Sequence, residues 1–283
     1  MFLVDKKNSI AYLESSLLKS CDFLTHAFCT RRGGSSRDDY KSMNMSFQEG
    51  DEEFRVLANW DKLATAFDIP LDNFLVLNQV HKDDILVIRP HGDYFTSREA
   101  LNYDAVVTNR PDLAICIKTA DCVPLFIVDR IKKVIAAVHA GRSGTAMGIG
   151  AKVVRLMRDE YGSLPADMLA AMGPCIGKCC YEVDTAAAQA FCGFTNAGEF
   201  LSEGGRRGKW MLDLIEANRR QLADSGLPAD NIEASGLCTV CRKDAFFSYR
   251  GSGGITGRQI NFMMIKGETP CRTYFTDDPG CLH

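Results

Sequence analysis

The sequence predicts an α+β protein built as a layered domain, and three observations carry the prediction. Strand-like runs follow one another directly, and helical stretches fall between groups of runs instead of alternating with single strands. Several strand-like runs are almost continuously apolar, as strands covered on both faces are. No repeat, low-complexity stretch or long Pro/Ser linker divides the 283 residues, a length ample for one large core.

In chain order, residues 52–67 predict an amphipathic helix, with Phe54, Leu57, Ala58, Leu63, Ala64 and Phe67 near helical spacing. Strands follow at Phe74–Val80, Asp84–Ile88, Asp104–Thr108, Leu113–Lys118, Val123–Asp129 and Lys133–Val138, each short, aliphatic or β-branched and bounded by turn residues. Gly144–Tyr161 predicts a helix, Met168–Met172 a short strand, and Asp184–Phe191 and Met211–Ser225 two further helices, the last stopped at Gly226-Leu227-Pro228. Asn231–Ser235, Phe246–Tyr249 and Gln259–Ile265 read as closing strands.

Composition narrows the function. Apolar residues make up 46% and charged residues 24%, the balance of a globular protein. A formal net charge of -3 gives no general basic field, so nucleic acid is not expected as a partner. Arg206, Arg207 and Lys209 make only a small basic patch, read as a solvated loop. Asp5, Lys6, Lys7 and Glu14 interrupt any signal-peptide core. No window approaches the roughly 18 apolar residues of a membrane span. The expectation is a cytoplasmic protein without a membrane partner, whose twelve cysteines stay reduced.

Two of the five histidines, His81 and His139, sit where predicted strands end, and Cys122 lies between two apolar strands. If those strands are neighbours, two imidazoles and a thiolate can converge, a ligand set that suits zinc and leaves a fourth position open. Gaps of 41 and 17 residues match no compact zinc motif, so strand-end histidines and a core thiol remain the alternative from spacing alone. Cys175, Cys179 and Cys180 with Cys238-Thr239-Val240-Cys241 offer a structural zinc site or a redox pair. Their irregular spacing favours buried free thiols. The zinc-deaminase pattern of HxE followed by PCxxC is missing. Arg31 beside Gly33-Gly34 suits an anion site or a plain polar turn. Gly251–Gly254 reads as a mobile loop whose flanking Arg250 and Arg258 could hold a phosphate. No Walker A or GxGxxG pattern is present.

Ordered segments resemble the YfiH family, also called laccase-domain or multicopper polyphenol oxidase-like. They are Thr30-Arg31-Arg32-Gly33-Gly34, Met43-Asn44, Asn78-Gln79-Val80-His81, Thr119-Ala120-Asp121-Cys122-Val123-Pro124, Val138-His139-Ala140-Gly141, Gly173-Pro174-Cys175-Ile176-Gly177, Cys180-Tyr181-Glu182-Val183, Asp213-Leu214 with Asn218, Phe247-Ser248-Tyr249-Arg250 and Thr256-Gly257-Arg258. The resemblance implies a single-domain sandwich of mixed β-sheets flanked by helices over residues 1–283. It implies one zinc on His81, Cys122 and His139, and activity on purine nucleosides: phosphorolysis of adenosine, inosine, guanosine or methylthioadenosine, and deamination of adenosine. Asp121 is then a candidate proton shuttle, Arg31, Arg250 and Arg258 candidates for phosphate, and Asn44 a candidate for substrate hydrogen bonds. The family usually has His-Ala-Gly-Trp-Arg-Gly where this chain has His139-Ala140-Gly141-Arg142-Ser143-Gly144. Copper oxidation fits poorly, because five histidines with no His-x-His pair are few for several coppers. A hydrolase using Cys122 with His139 or His81, including one that edits peptidoglycan precursors, is the main alternative. A metal-stabilised binding module is another. The sequence does not fix the oligomeric state.

Overall fold

The computed structural model describes residues 1–90 and 101–267; His91, His283, Cys271 and Cys281 lie outside the described residues. The fold is α+β, with two six-stranded mixed sheets face to face, a three-stranded sheet and helices outside them. The first sheet has the order β1-β2-β3-β15-β7-β4, where β1 is Phe2–Lys7, β2 Ile10–Ser15, β3 Leu24–Cys29, β4 Phe74–Val76, β7 Ala114–Thr119 and β15 Gln259–Ile265. The second runs β14-β10-β8-β9-β6-β5, where β5 is Ile85–Ile88, β6 Ala105–Thr108, β8 Val123–Asp129, β9 Val134–Ala140, β10 Met168–Met172 and β14 Ile232–Ala234. The small sheet joins β11 (Glu182–Asp184), β13 (Lys209–Leu212) and β12 (Leu201–Glu203).

The strand period of two sorts side chains into three cores. Along β8, Val123, Leu125 and Ile127 face the outer helices α4 (Ile149–Tyr161) and α6 (Leu214–Asp224), whereas Phe126 and Val128 face the first sheet. Along β7, Ile115 and Ile117 enter the inter-sheet core, while Ala114 and Cys116 pack under α2 (Glu53–Phe67). This double coverage is why these strands carry unbroken apolar runs. Phe28 of β3 and Phe126 of β8 stack across the two sheets with centroids 4.4 Å apart.

Several predicted elements change for local reasons. The helix expected over Gly144–Tyr161 is two, α3 (Arg142–Ala146) and α4, because Gly148 adopts φ +74° between them. The helix expected from Met211 begins after Asp213, whose side chain accepts the N–H of Glu216 as a cap, and Met211 belongs to β13. Asp184 caps α5 (Thr185–Gln189) in the same way, and this helix stops at Gln189, two residues short of the expected Phe191. Phe246–Tyr249 is not a strand. The N–H of Phe246 turns back to Arg242 O, and that of Phe247 goes to the Gln259 side chain. Ser248 then caps α7 (Tyr249–Ser252), which occupies part of the expected mobile loop. The four-residue α1 (Ser16–Lys19) follows β2. Among the described residues no helix is long and apolar enough to cross a membrane.

Candidate metal centre and substrate cavity

The candidate donors come from three places in the fold. His139 lies in β9, and its register partner on β8 is Pro124. Cys122, two residues earlier on the incoming chain, therefore reaches the same end of the sheet. His81 arrives from the connection between β4 and β5 with a left-handed φ of +59°. The structure brings them together: their donor atoms lie within 4.8 Å of one another, and the two rings meet edge to face with centroids 4.8 Å apart. Gly141 keeps this space open. A Cβ there would stand 3.0 Å from Cys122 Sγ and 3.3 Å from His81 Nδ1.

Asp104, just before β6, organises the group. Its buried carboxylate accepts the N–H groups of Val80 at 3.2 Å, His81 at 3.0 Å and Lys82 at 2.7 Å, and pairs with His139 Nδ1 at 2.7 Å. That contact leaves His139 Nε2 as the donor toward a metal, with a carboxylate orienting the ring from behind. Burial alone would raise the Asp104 carboxyl. The hydrogen bond from His139 and the amides of Lys82 and His81 outweigh it and hold the group below its ordinary range. Burial would likewise raise the Cys122 thiol, yet the His139 charge and hydrogen bonds from both imidazoles bring it down to about 6. Burial opposes a charge on His139, but Cys122 and Asp104 carry it up to about 9. Two imidazoles and a readily formed thiolate in a space that a methyl group would fill fit a single borderline-soft ion.

A cavity of about 510 Å³ opens over these donors, a size suited to a small organic ligand. Lys118, Arg250 and Arg258 line it, with Glu49, Tyr181 and Tyr249. Arg258 pairs with Glu49 at 2.8 Å, and Arg250 gives one N–H to Glu182 O at 2.8 Å and lies 5.3 Å from the Tyr181 ring centre. Burial pushes the Tyr181 hydroxyl up to about 12, with the nearby Cys122 charge acting in the same direction.

Asp121 also lines the cavity, at φ +97°. One oxygen accepts from Thr239 Oγ1 at 2.6 Å and the other from the Arg250 amide at 2.7 Å. Two residues expected as substrate contacts, Arg31 and Asn44, are not among those lining the cavity. Arg31 does not line the cavity; its guanidinium donates to Lys41 O at 2.6 Å and Lys243 O at 3.1 Å and covers the Phe247 ring. Asn44 is fully buried, bonded to Ser46, to Asp51 and, through Oδ1, to the Arg258 amide at 2.9 Å. Both residues tie loops together, and Asn44 positions Arg258. Sequence reasoning missed Asp104, Lys118 and Glu49. A single Asp ahead of a strand has no motif, and Lys118 reads as an ordinary strand end.

Fold and site together define a layered α+β protein with a His–Cys–His donor set in a cavity lined by Lys118, Arg250 and Arg258. The sequence matches the family described as multi-copper polyphenol oxidoreductase laccase over residues 25–266, and the chain belongs to that family. It is 32% identical over 245 residues to purine nucleoside phosphorylase YlmD of Bacillus subtilis, covering 84% of this chain and 87% of that one. It is 35% identical over 238 residues to adenosine deaminase RL5 from an unknown prokaryotic organism, covering 82% and 90%. The solved structure of the hypothetical protein YfiH from Bacillus licheniformis superposes with a TM-score of 0.85 at 33% identity, covering 94% of this chain and 99% of that one.

Proposed function

We propose that this chain is a zinc-dependent purine nucleoside phosphorylase acting on adenosine, inosine, guanosine and methylthioadenosine, with adenosine deamination as a second activity. The observation that carries the reading is that one cavity sets His81, Cys122 and His139 beside Lys118, Arg250 and Arg258. The printed activities of the relatives, phosphorylase and deaminase, support it. In phosphorolysis a phosphate oxygen bonds to ribose C1′ while the C1′–N9 bond breaks; its electron pair leaves with the base, which takes up a proton. Arg250, Arg258 and Lys118 hold the phosphate by charge-assisted hydrogen bonds. The Tyr181 and Tyr249 rings offer faces to the purine, and the Tyr181 hydroxyl, protonated at neutral pH, donates to it. Zinc in the donor set supplies Lewis acidity at the reacting end of the cavity. In deamination water replaces the amine at purine C6 and ammonia leaves. Asp121 takes the proton of the attacking water and returns it to the amine, while Thr239 and the Arg250 amide keep its carboxylate aimed.

Copper oxidation finds few imidazole ligands among the described residues. Besides His81 and His139, the other described histidine, His26, is buried and accepts the Ser15 amide. A Cys–His hydrolase acting on an amide or ester, such as a peptidoglycan precursor, is favoured by one observation, the Cys122–His139–Asp104 relay. It leaves unexplained the second imidazole, His81, bonded to the same sulfur. The test is adenosine turnover with and without inorganic phosphate, products resolved by chromatography. Ribose 1-phosphate and adenine that form only with phosphate support phosphorolysis; inosine in both samples supports deamination. If neither appears, the purine reading is wrong.

A further inference from the structure

Four more thiols meet outside the cavity. Cys179 and Cys180 come from the turn between β10 and β11, and Cys238 and Cys241 from the turn after β14. Their sulfurs all lie within 4.8 Å of one another, with Cys241 Sγ 3.7 Å from Cys179 Sγ and 3.5 Å from Cys180 Sγ. The expectation of buried free thiols holds for Cys175 but not for this group, in which Cys179 and Cys241 are exposed and the other two half-buried. Exposed thiols gain nothing from clustering by apolar burial, so packing does not account for the arrangement.

We propose that Cys179, Cys180, Cys238 and Cys241 form a second metal site, a closed tetrathiolate site for one structural zinc ion. A tetrahedron with Zn–S bonds of about 2.3 Å has sulfur–sulfur edges of about 3.8 Å, and the contacts to Cys241 Sγ lie close to that edge. The backbone is arranged for thiolate as well. Cys238 Sγ accepts the N–H of Gly177 at 3.3 Å and that of Cys241, and each such bond favours the charged sulfur. The turn that carries the first pair is closed by backbone bonds of its own: the N–H groups of Cys180 and Tyr181 both return to Gly177 O. Four protein ligands fill the coordination sphere, so this site is structural where the His–Cys–His set keeps an open position.

The place of the cluster gives the ion its task. The two turns are already joined by a bridge between Cys175 and Cys238 and by the Thr239 amide on Cys175 O at 2.9 Å. One turn leads directly to Tyr181, and the other holds Thr239, the partner of Asp121. Zinc clamps these turns from outside and so braces the wall of the cavity. The inference does not depend on what the cavity binds.

The experiment counts zinc in protein purified under reducing conditions, by native mass spectrometry and elemental analysis. Wild type should hold about two zinc ions per chain. A His81→Ala/His139→Ala variant should keep about one, and its cobalt-substituted form should show intense thiolate-to-cobalt charge-transfer bands. Adding Cys238→Ser to that variant should remove the remaining ion. With zinc bound, the four cysteines should resist iodoacetamide, and after chelation they should react. The proposal is overturned if the His variant holds no zinc, if all four thiols alkylate equally with and without zinc, or if native protein shows a disulfide among them. The His variant retains all four cysteines, so these outcomes stand even if Cys238→Ser fails to fold.

Discussion

Asp104 shows how much a single side chain can settle. Its two oxygens accept four donors, three backbone amides and His139 Nδ1. Only a carboxylate offers that many lone pairs and no competing N–H. Asp104→Asn would turn an amide hydrogen toward groups that are themselves donors. We expect a stability loss of about 1–3 kcal/mol and a fall of roughly 10–100-fold in zinc affinity at the His–Cys–His site, read by chelator competition. Gly141→Ala separates space from chemistry. Its methyl would crowd Cys122 Sγ and His81 Nδ1 while Gly141 keeps an ordinary extended conformation, so metal should be lost with little change in the thermal midpoint. Normal metal content in this variant would place the ion elsewhere. At this scale the meeting of His81, Cys122 and His139 was readable only with the family resemblance, since strand ends alone left a core thiol and two hydrogen-bonded histidines as the alternative; the structure brings their donor atoms within 4.8 Å of one another. The sequence was not legible at Asp104, and at Cys179, Cys180, Cys238 and Cys241 it left a structural zinc site, a redox pair and buried free thiols side by side, because partners about sixty residues apart meet only through the packing of two turns.

Elements were legible where one physical signal dominated. The unbroken runs of β8 and β9 survive into the fold because burial selects them directly, whereas α2 forms where expected but buries a different stripe: Val56, Asn59, Trp60, Leu63 and Phe67 face the core, and Phe54 and Leu57 are exposed. The hairpin of β1 and β2 escaped notice because β1 lies at a sheet edge and exposes most of its residues, which leaves the sequence no strong alternation. The Phe246–Tyr249 segment misled for the opposite reason: its phenylalanines are buried, but side-chain and turn hydrogen bonds replace a ladder. The pairing of β2 with β3 holds a pH dependence. His26 of β3 accepts the Ser15 amide, and burial first, with Lys19 second, lowers its imidazole from the ordinary 6.5 to about 4. Between these values the unfolded chain binds the extra proton. The stabilisation is therefore complete above pH about 6.5 and lost as pH falls toward about 4, by about 3 kcal/mol at most. Denaturant unfolding across that range should show the slope in wild type and a flatter one in His26→Gln.

At the scale of the molecule, the face-to-face sheets bring together the strand ends that carry the site, and their contact centres on the Phe28–Phe126 stack. Phe126→Ala should cost about 3–5 kcal/mol by chemical denaturation, while the folded fraction keeps its metal content. A variant that lost metal in proportion would show the sheet contact and the site to be one unit. The layered architecture was readable from the grouping of strands, whereas the sheet order, with β15 between β3 and β7, depends on long-range pairing that local patterns do not encode. The central claim is that the ion held by His81, Cys122 and His139 serves purine phosphorolysis. Its most direct test is ribose 1-phosphate formation from adenosine and phosphate by wild type that has been stripped of metal and then reloaded with zinc, beside a Cys122→Ala control. Activity should vanish on stripping and return with zinc in wild type alone. Full turnover by the metal-free protein, abolished by alkylation of Cys122, would contradict it.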